Sequence, residues 1–285
     1  MKNFTPMTAV EDQAKRWNST AGRAWVDAQP QIDRLLKPFE DLLVDAVAAH
    51  APREVLDVGC GTGGTTVAIA RRLGTTASCT GVDISVPMIE AARARAERDG
   101  TPVAFIVADA QTHNFEAGQF DAIVSRFGVM FFSDPVAAFA NLRRAARDGA
   151  RLQVIVWRGA ADNPFMITAE RAAAPFLPHL PERKPDAPGQ FALANDRRVH
   201  AILDAGGWSE VEIRPLDIVC AMPASALVTY VSRMGPVGTA LQETDEATRT
   251  RVVDAVLPAF DPFVRGDEVR FAAACWMVDA RCGRQ

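Results

Sequence analysis

The stretch Glu54-Val-Leu-Asp-Val-Gly-Cys-Gly-Thr-Gly-Gly-Thr65 decides the fold. Val55, Leu56 and Val58 form a short apolar run, the pattern of a strand buried on both faces of a parallel sheet. Gly59, Gly61, Gly63 and Gly64 follow at once, and Thr65 to Leu73 then carries Val67, Ile69, Ala70 and Leu73 on the buried side of a helix. Strand, glycine turn and helix make a nucleotide-binding crevice. Glycine tolerates positive φ and lets the backbone approach a ligand where a Cβ would clash. The helix start adds free N–H groups.

Two ligand classes compete for this crevice. Gly59-x-Gly61-x-x-Gly64 fits the spacing used for the pyrophosphate of NAD and FAD, which alone is a weak signal. Asp57 stands two residues before the first glycine and would face the ligand just under the turn. A carboxylate there repels a pyrophosphate and attracts an ammonium group. S-adenosylmethionine (SAM) offers an ammonium and no phosphate. The plainer alternative is an Asp that only caps the turn.

Four segments in order strengthen the second reading. Glu54–Thr65 resembles motif I of the class I SAM-dependent methyltransferases, and Val82-Asp83-Ile84-Ser85 resembles their acidic motif after the second strand. Val107-Ala108-Asp109-Ala110 resembles the adenine-contacting turn, and Phe120-Asp121-Ala122-Ile123-Val124-Ser125 resembles the fourth strand. The likeness spans roughly residues 50 to 158 and is nearest in style to the small-molecule methyltransferases of ubiquinone and menaquinone biosynthesis. It implies an α/β fold: a Rossmann-like, doubly wound, seven-stranded sheet whose last strand is antiparallel, with mainly helical cap insertions. It implies SAM as cofactor and S-adenosylhomocysteine as product.

Site residues follow from the same resemblance. Trp17 and Trp25 are candidates for a lid over SAM, although two tryptophans in the N-terminal helices would also serve as staples to the core. Asp57, Gly59, Gly61, Thr62 and Gly63 form the turn. Asp83, about 20 residues after the glycines, is placed to accept both ribose hydroxyls. Ile84 and Met88 would line the adenine, and Asp109, Ala110 and Gln111 would surround its amino group. Ser125 ends the fourth strand. The next segment, Arg126-Phe-Gly-Val-Met-Phe-Phe132, is apolar for a loop, which marks a lining loop. Arg126, Phe127, Met130, Phe131 and, on strand five, Trp157 are therefore candidates for the acceptor side. The planar-amine motif of DNA and glutamine methyltransferases is absent; Asn163-Pro164-Phe165 reads as a turn.

The rest of the chain sets the frame. The 285 residues hold 48% hydrophobic residues and a net charge of −4, suited to a globular core with insertions and against a nucleic-acid partner. No apolar run is long enough to span a bilayer, and no hydrophobic leader follows Met1. Five scattered cysteines without a Cys-x-x-Cys pair point to a reducing cytoplasm with neither disulfides nor a metal site. The expected organisation is an N-terminal helical lid (1–50), the SAM-binding core (51–158), a proline-rich cap insertion (159–195), core continued (196–222), a helical cap insertion (223–262) and a final strand (263–285). The insertions would form one cap over an acceptor pocket.

Methyl transfer from a sulfonium needs alignment and water exclusion more than a catalytic side chain. His113, His200 and Tyr230 are the weak candidates for a base. The function these observations favour is methyl transfer to a small, partly apolar molecule by in-line displacement. The alternatives are an NAD(P)-dependent oxidoreductase and a non-catalytic SAM-fold binding protein. The sequence leaves room for a homodimer and carries no evidence of one.

Overall fold

The computed structural model describes residues 9–184 and 186–283. The first eight residues of the expected lid and the last two of the final strand lie outside the described residues. The sheet is built from β1 (Glu54–Val58), β2 (Ser78–Asp83), β3 (Ala104–Val107), β4 (Phe120–Arg126), β5 (Ala146–Trp157), β6 (Ser209–Pro223), β7 (Val264–Arg265) and β8 (Glu268–Arg281). Its order is β3-β2-β1-β4-β5-β8-β6. The first five strands are parallel, and β8 runs antiparallel between β5 and β6. The seven-strand path agrees with the expectation. The two-residue β7, which hairpins onto β8, was not foreseen.

Order reverses between β1 and β4, and the crevice lies at their carboxyl ends, where an open α/β sheet binds its ligands. β1 buries four of its five residues because helices cover both faces. On one side stands α3 (Gln29–Ala48), which buries Leu35, Leu36, Phe39, Leu43, Val44 and Val47 at helical spacing. α4 (Gly64–Leu73) starts from Gly63, whose φ of +78° requires glycine. α5 (Val86–Arg98) is capped by Ser85 with Pro87 in its first turn, and α6 (Pro135–Ala145) by Asp134 with Pro135.

Three details differ from the sequence reading, which makes Asp148-Gly149 a turn, starts a helix at Asp196 and places two helices, Ser225–Met234 and Thr244–Leu257, in 223–262. α6 ends at Ala145 and β5 begins at Ala146; Asp148-Gly149, read as a turn, lies within the strand, where the register with β4 shifts and Gly149 takes a φ of +80°. α8 (Asp196–Ala205) is capped by Asn195, whose side chain accepts the Arg198 N–H. The 223–262 insertion holds three helices, α9 (Leu227–Arg233), α10 (Gly235–Leu241) and α11 (Glu246–Val256), not two. Phe165 on α7 (Pro164–Ala173) anchors this cap: its ring stacks on Phe271 of β8 at 3.8 Å and meets Phe260 and Phe263 edge-on, each at 5.2 Å.

Two backbone turns meet at the crevice. A Cβ on Gly59 would stand 2.6 Å from Gly128 Cα, and one on Gly128 would stand 2.5 Å from the Val58 carbonyl oxygen. Ser125 pins the same junction, donating from Oγ to the Val58 carbonyl at 2.7 Å and accepting the Gly128 N–H at 3.1 Å. Gly128→Ala is expected to lower stability by about 2–3 kcal/mol, because backbone must move to admit the methyl. Thermal unfolding would check this against Gly159→Ala, where the nearest atom is 3.4 Å away, with a change of about 0.5 kcal/mol or less expected.

Candidate active site

One cavity of about 550 Å³ opens at the carboxyl ends of β1, β2 and β4, within the range of small-molecule sites. Its floor is Asp57, Gly59, Cys60, Gly61 and Thr62. One wall carries Asp83, Ile84, Met88, Asp109, Ala110 and Gln111. Its lining also takes Trp17 and Trp25 from the N-terminal helices, Phe165 and Met166 from α7, and Tyr230 and Met234 from the 223–262 segment.

The glycine turn is built for something other than a phosphate. An anion nest needs free backbone donors. Here the Gly59 and Cys60 N–H groups both go to the Val82 carbonyl, at 2.8 and 3.1 Å, and the Gly63 N–H goes to the Cys60 carbonyl. The Gly61 N–H goes to Asp83 Oδ2 at 2.9 Å. At Gly61, φ is +55° and an added Cβ would meet only Met88 Sδ, at 3.8 Å, so this glycine faces open space. With the Gly59, Cys60, Gly61 and Gly63 donors engaged, two carboxyl groups beside the turn and an open glycine surface fit the adenosyl and ammonium groups of SAM. They do not fit a pyrophosphate.

Charge supports this fit. Four carboxyl groups, Asp33, Glu40, Asp57 and Asp83, gather near the turn with two guanidiniums, Arg95 and Arg126. Arg95 pairs with Asp33, and Arg126 reaches Glu40 at 3.8 Å and donates to the Leu36 carbonyl at 3.2 Å. The excess of acid invites a cation. Burial pushes the Asp57 carboxyl up to about 7, against the pull of the Thr66 hydroxyl, which donates to it at 2.7 Å, and of Arg126. Asp83 is also raised by burial, while the Ser85, Gly61 and Ile84 amides act the other way.

The N-terminal helices are stitched to the Asp83 side of the cavity. Asn18 donates from Nδ2 to the Ile84 carbonyl at 3.0 Å and accepts the Val86 N–H at 2.8 Å. The Ser85 hydroxyl donates to the Trp17 carbonyl at 2.7 Å. Gly22 lets α1 (Ala9–Trp17) and α2 (Thr20–Asp27) meet, since a Cβ there would lie 1.9 Å from the Trp17 carbonyl oxygen. The Trp17 ring then stands edge-on to Trp25 at 6.2 Å and to Phe131 at 5.1 Å. On the acceptor side Phe127, at a φ of +64°, stacks on Trp157 at 4.5 Å.

Most of the sequence candidates line this cavity, and four do not. Gly63 points away, toward Phe105 and Ala92, and serves the helix start. Ser125 is buried beneath the floor as the bridge between the two turns. His113 packs edge-on against Phe115, at 4.6 Å, outside the lining, and His200 is exposed on α8. Asn163 uses its amide within the fold, donating to the Arg158, Gly159 and Ala274 carbonyls and accepting the Ala274 N–H. Tyr230 does line the cavity, but burial raises its phenol well above the ordinary value, which makes it a donor and not a base at neutral pH. Cys60 is the lining cysteine, and burial likewise keeps its thiol protonated. Among the described residues no group of acidic, cysteine and histidine side chains could hold a metal ion.

Residues missed from the sequence are Ile32, Leu35 and Leu36, whose spacing reads as plain core, and Met166, Glu170, Arg183 and Phe191 of the cap. Arg183 grips Glu170 through Nε at 2.9 Å and through a second nitrogen at 2.5 Å, and lies 4.7 Å from the Phe191 ring centre. Paired charges four or more residues apart in a proline-rich loop give no sequence signal of their own.

Comparison with known proteins agrees with this geometry. Residues 55–149 match a protein family described as a methyltransferase domain. The aklanonic acid methyltransferase DauC of Streptomyces sp. strain C5 is 31% identical over 185 residues, covering 61% of this chain and 84% of that protein. The demethylmenaquinone methyltransferase of Thermus thermophilus is 36% identical over 129 residues, covering 44% of this chain and 58% of that protein. The crystal structure of YcgJ from Bacillus subtilis superposes with a TM-score of 0.57 at 17% identity, over 86% of this chain and 98% of that one.

Asp57 gives a pH test. A bound ammonium favours the ionised carboxylate, so below pH 7 the ligand-free protein carries a proton that must leave on binding. SAM affinity is expected to fall by up to about tenfold per pH unit as pH drops below 7. Asp57→Asn should weaken binding at pH 8 and flatten this profile. Calorimetric titration from pH 5.5 to 8 checks both.

Proposed function

The chain belongs to the class I SAM-dependent methyltransferases, and we propose that it moves the methyl group to a small, partly apolar acceptor by in-line displacement. The observation that carries this reading is the continuity of one cavity. Its Asp57, Asp83 and Asp109 end suits the cofactor, and beyond the β4 exit it becomes a wall of Phe127, Trp157, Phe165 and Met166. SAM supplies a methyl group already activated on a sulfonium. The protein's part is to hold two reactants in line, at a separation of about 3 Å, and to exclude water.

Each residue then has a task. The carboxylates of Asp83 and Asp109 hold the ribose and the adenine, Ile84 and Met88 flank the adenine, and Asp57 holds the ammonium. Gly59, Gly61 and Thr62 give the backbone surface against which the cofactor lies, with Ala110 and Gln111 beside it. Trp17 and Trp25 close over it. Arg126, tied to Glu40 and the Leu36 carbonyl, fixes the floor near the reacting end. Phe127, Met130, Phe131 and Trp157 form the near wall of the acceptor space. Among the described residues no histidine lines the cavity, so acceptors that ionise by themselves or need no proton removed suit it best.

A small acceptor is in line with the names of the two relatives, which refer to aklanonic acid and demethylmenaquinone. The covered, half-apolar cavity and the net charge of −4 argue against nucleic acid as acceptor. The domain division at residues 50, 158, 195, 222 and 262 is kept as a functional one: core for the cofactor, inserted pieces for the acceptor. All five cysteines are buried and unpaired, as suits a cytoplasmic protein. No helix among the described residues is long and apolar enough to cross a membrane.

Titration with SAM, S-adenosylhomocysteine and NAD tests the reading. Both adenosyl ligands are expected to bind in the micromolar range, with Asp83→Ala weakening them at least about tenfold, the worth of hydrogen bonds to a charged group. Binding of NAD in their place would overturn it.

A further inference from the structure

The acceptor half of the cavity has one interior polar group that the fold leaves poorly served. Tyr230, the only tyrosine of the chain, stands on α9 with its ring 5.4 Å from Phe165. Its hydroxyl has one hydrogen-bond partner among the described residues, Met166 Sδ at 3.7 Å. A thioether is a weak acceptor, and a buried phenol ordinarily finds an oxygen. The neighbouring lining residues Phe165, Met166, Val231, Met234 and Val237 offer no oxygen from their side chains. The nearest carboxylate, Glu170, is occupied by the bidentate grip of Arg183. A donor held among apolar groups in a cavity wall, with its proton retained, is a recognition element awaiting an acceptor atom.

We propose that Tyr230 is the polar anchor for the methyl acceptor: its hydroxyl donates a hydrogen bond to a carbonyl-type oxygen on a flat, otherwise apolar molecule. The inference rests on the small-molecule methyltransferase reading and narrows its substrate class. The flatness follows from the lining, which includes the aromatic rings of Phe127, Trp157, Phe165 and Tyr230. The donor makes oxygen-bearing molecules preferable to hydrocarbons of the same shape, because a hydrocarbon leaves the phenol with only the Met166 thioether as partner. Tyr230 acts here as a positioning residue: it orients the acceptor and removes no proton from it.

The test uses the full chain saturated with S-adenosylhomocysteine and two probes of matched shape, 2-acetylnaphthalene and 2-isopropylnaphthalene. Quenching of the cavity tryptophans Trp17, Trp25 and Trp157 reports binding. The ketone is expected to bind about tenfold more tightly than the hydrocarbon, the difference made by one hydrogen bond. In Tyr230→Phe the preference should vanish through loss of ketone affinity. The hydrocarbon affinity, the S-adenosylhomocysteine affinity and the unfolding midpoint should stay as in the parent, which a merely structural tyrosine would not allow. Equal binding of the two probes by the parent, binding of neither, or a preference that survives in Tyr230→Phe would overturn the assignment. Failure of the parent to bind S-adenosylhomocysteine would instead overturn the reading on which it rests.

Discussion

The site depends on two turns pressed against each other. The chain leaves β1 at Val58-Gly59 and leaves β4 at Phe127-Gly128, and the two glycines meet with no room for a Cβ on either. This contact lets the glycine floor and the apolar β4 exit form one continuous surface instead of two separate pockets. Ser125 satisfies the carbonyl and the amide that the junction would otherwise strand. Phe127 takes a left-handed conformation beside it, a strained choice for a bulky residue, and its stacking on Trp157 and edge contact with Phe39 hold it there. Cofactor geometry and acceptor geometry are thus fixed by the same few backbone atoms.

Electrostatics divides the same cavity into two halves. The floor keeps more carboxyl groups than guanidiniums close to its centre, an arrangement that works against the folded state when nothing cationic is near. Asp57 shows the tension most clearly, as a buried carboxyl close to neutrality at physiological pH. On the apolar wall the charges of Glu170 and Arg183 are paired with each other. A charged floor and a dry wall on either side of one reacting point suit the displacement of a methyl group from a cation.

Much of the fold and the cofactor side was legible because it is written in local signals. Apolar runs, glycines with positive φ and caps such as Ser85 and Asp134 act within a few residues, so β1, α4, Asp83 and Asp109 could be placed one by one. The acceptor side depends on long-range packing. The apolar spacing of α3 says that Leu35 and Leu36 are covered, and does not say that a cavity covers them. His113 follows Asp109 by four residues and seemed near the cofactor, but the turn on the Asp109 carbonyl sends its ring onto Phe115. Gly235-Pro236 reads as a break in one dimension, whereas proline in a first turn begins α10. A glycine in a strand irregularity, as at Gly149, likewise looks like a turn.

The Asn18 and Ser85 bonds tie the N-terminal lid to the backbone that carries Asp83 and Ile84. The N-terminal helices therefore rest on the very segment proposed to hold the ribose. Any ligand that orders this segment also lengthens the lifetime of the closed lid, and an ordered lid in turn slows escape of the ligand. The dwell time of the nucleoside and the opening frequency of the entrance are one quantity seen from two sides. Where departure of the spent nucleoside limits turnover, the hydrogen bonds of Asn18 bear on the rate from outside the reacting atoms.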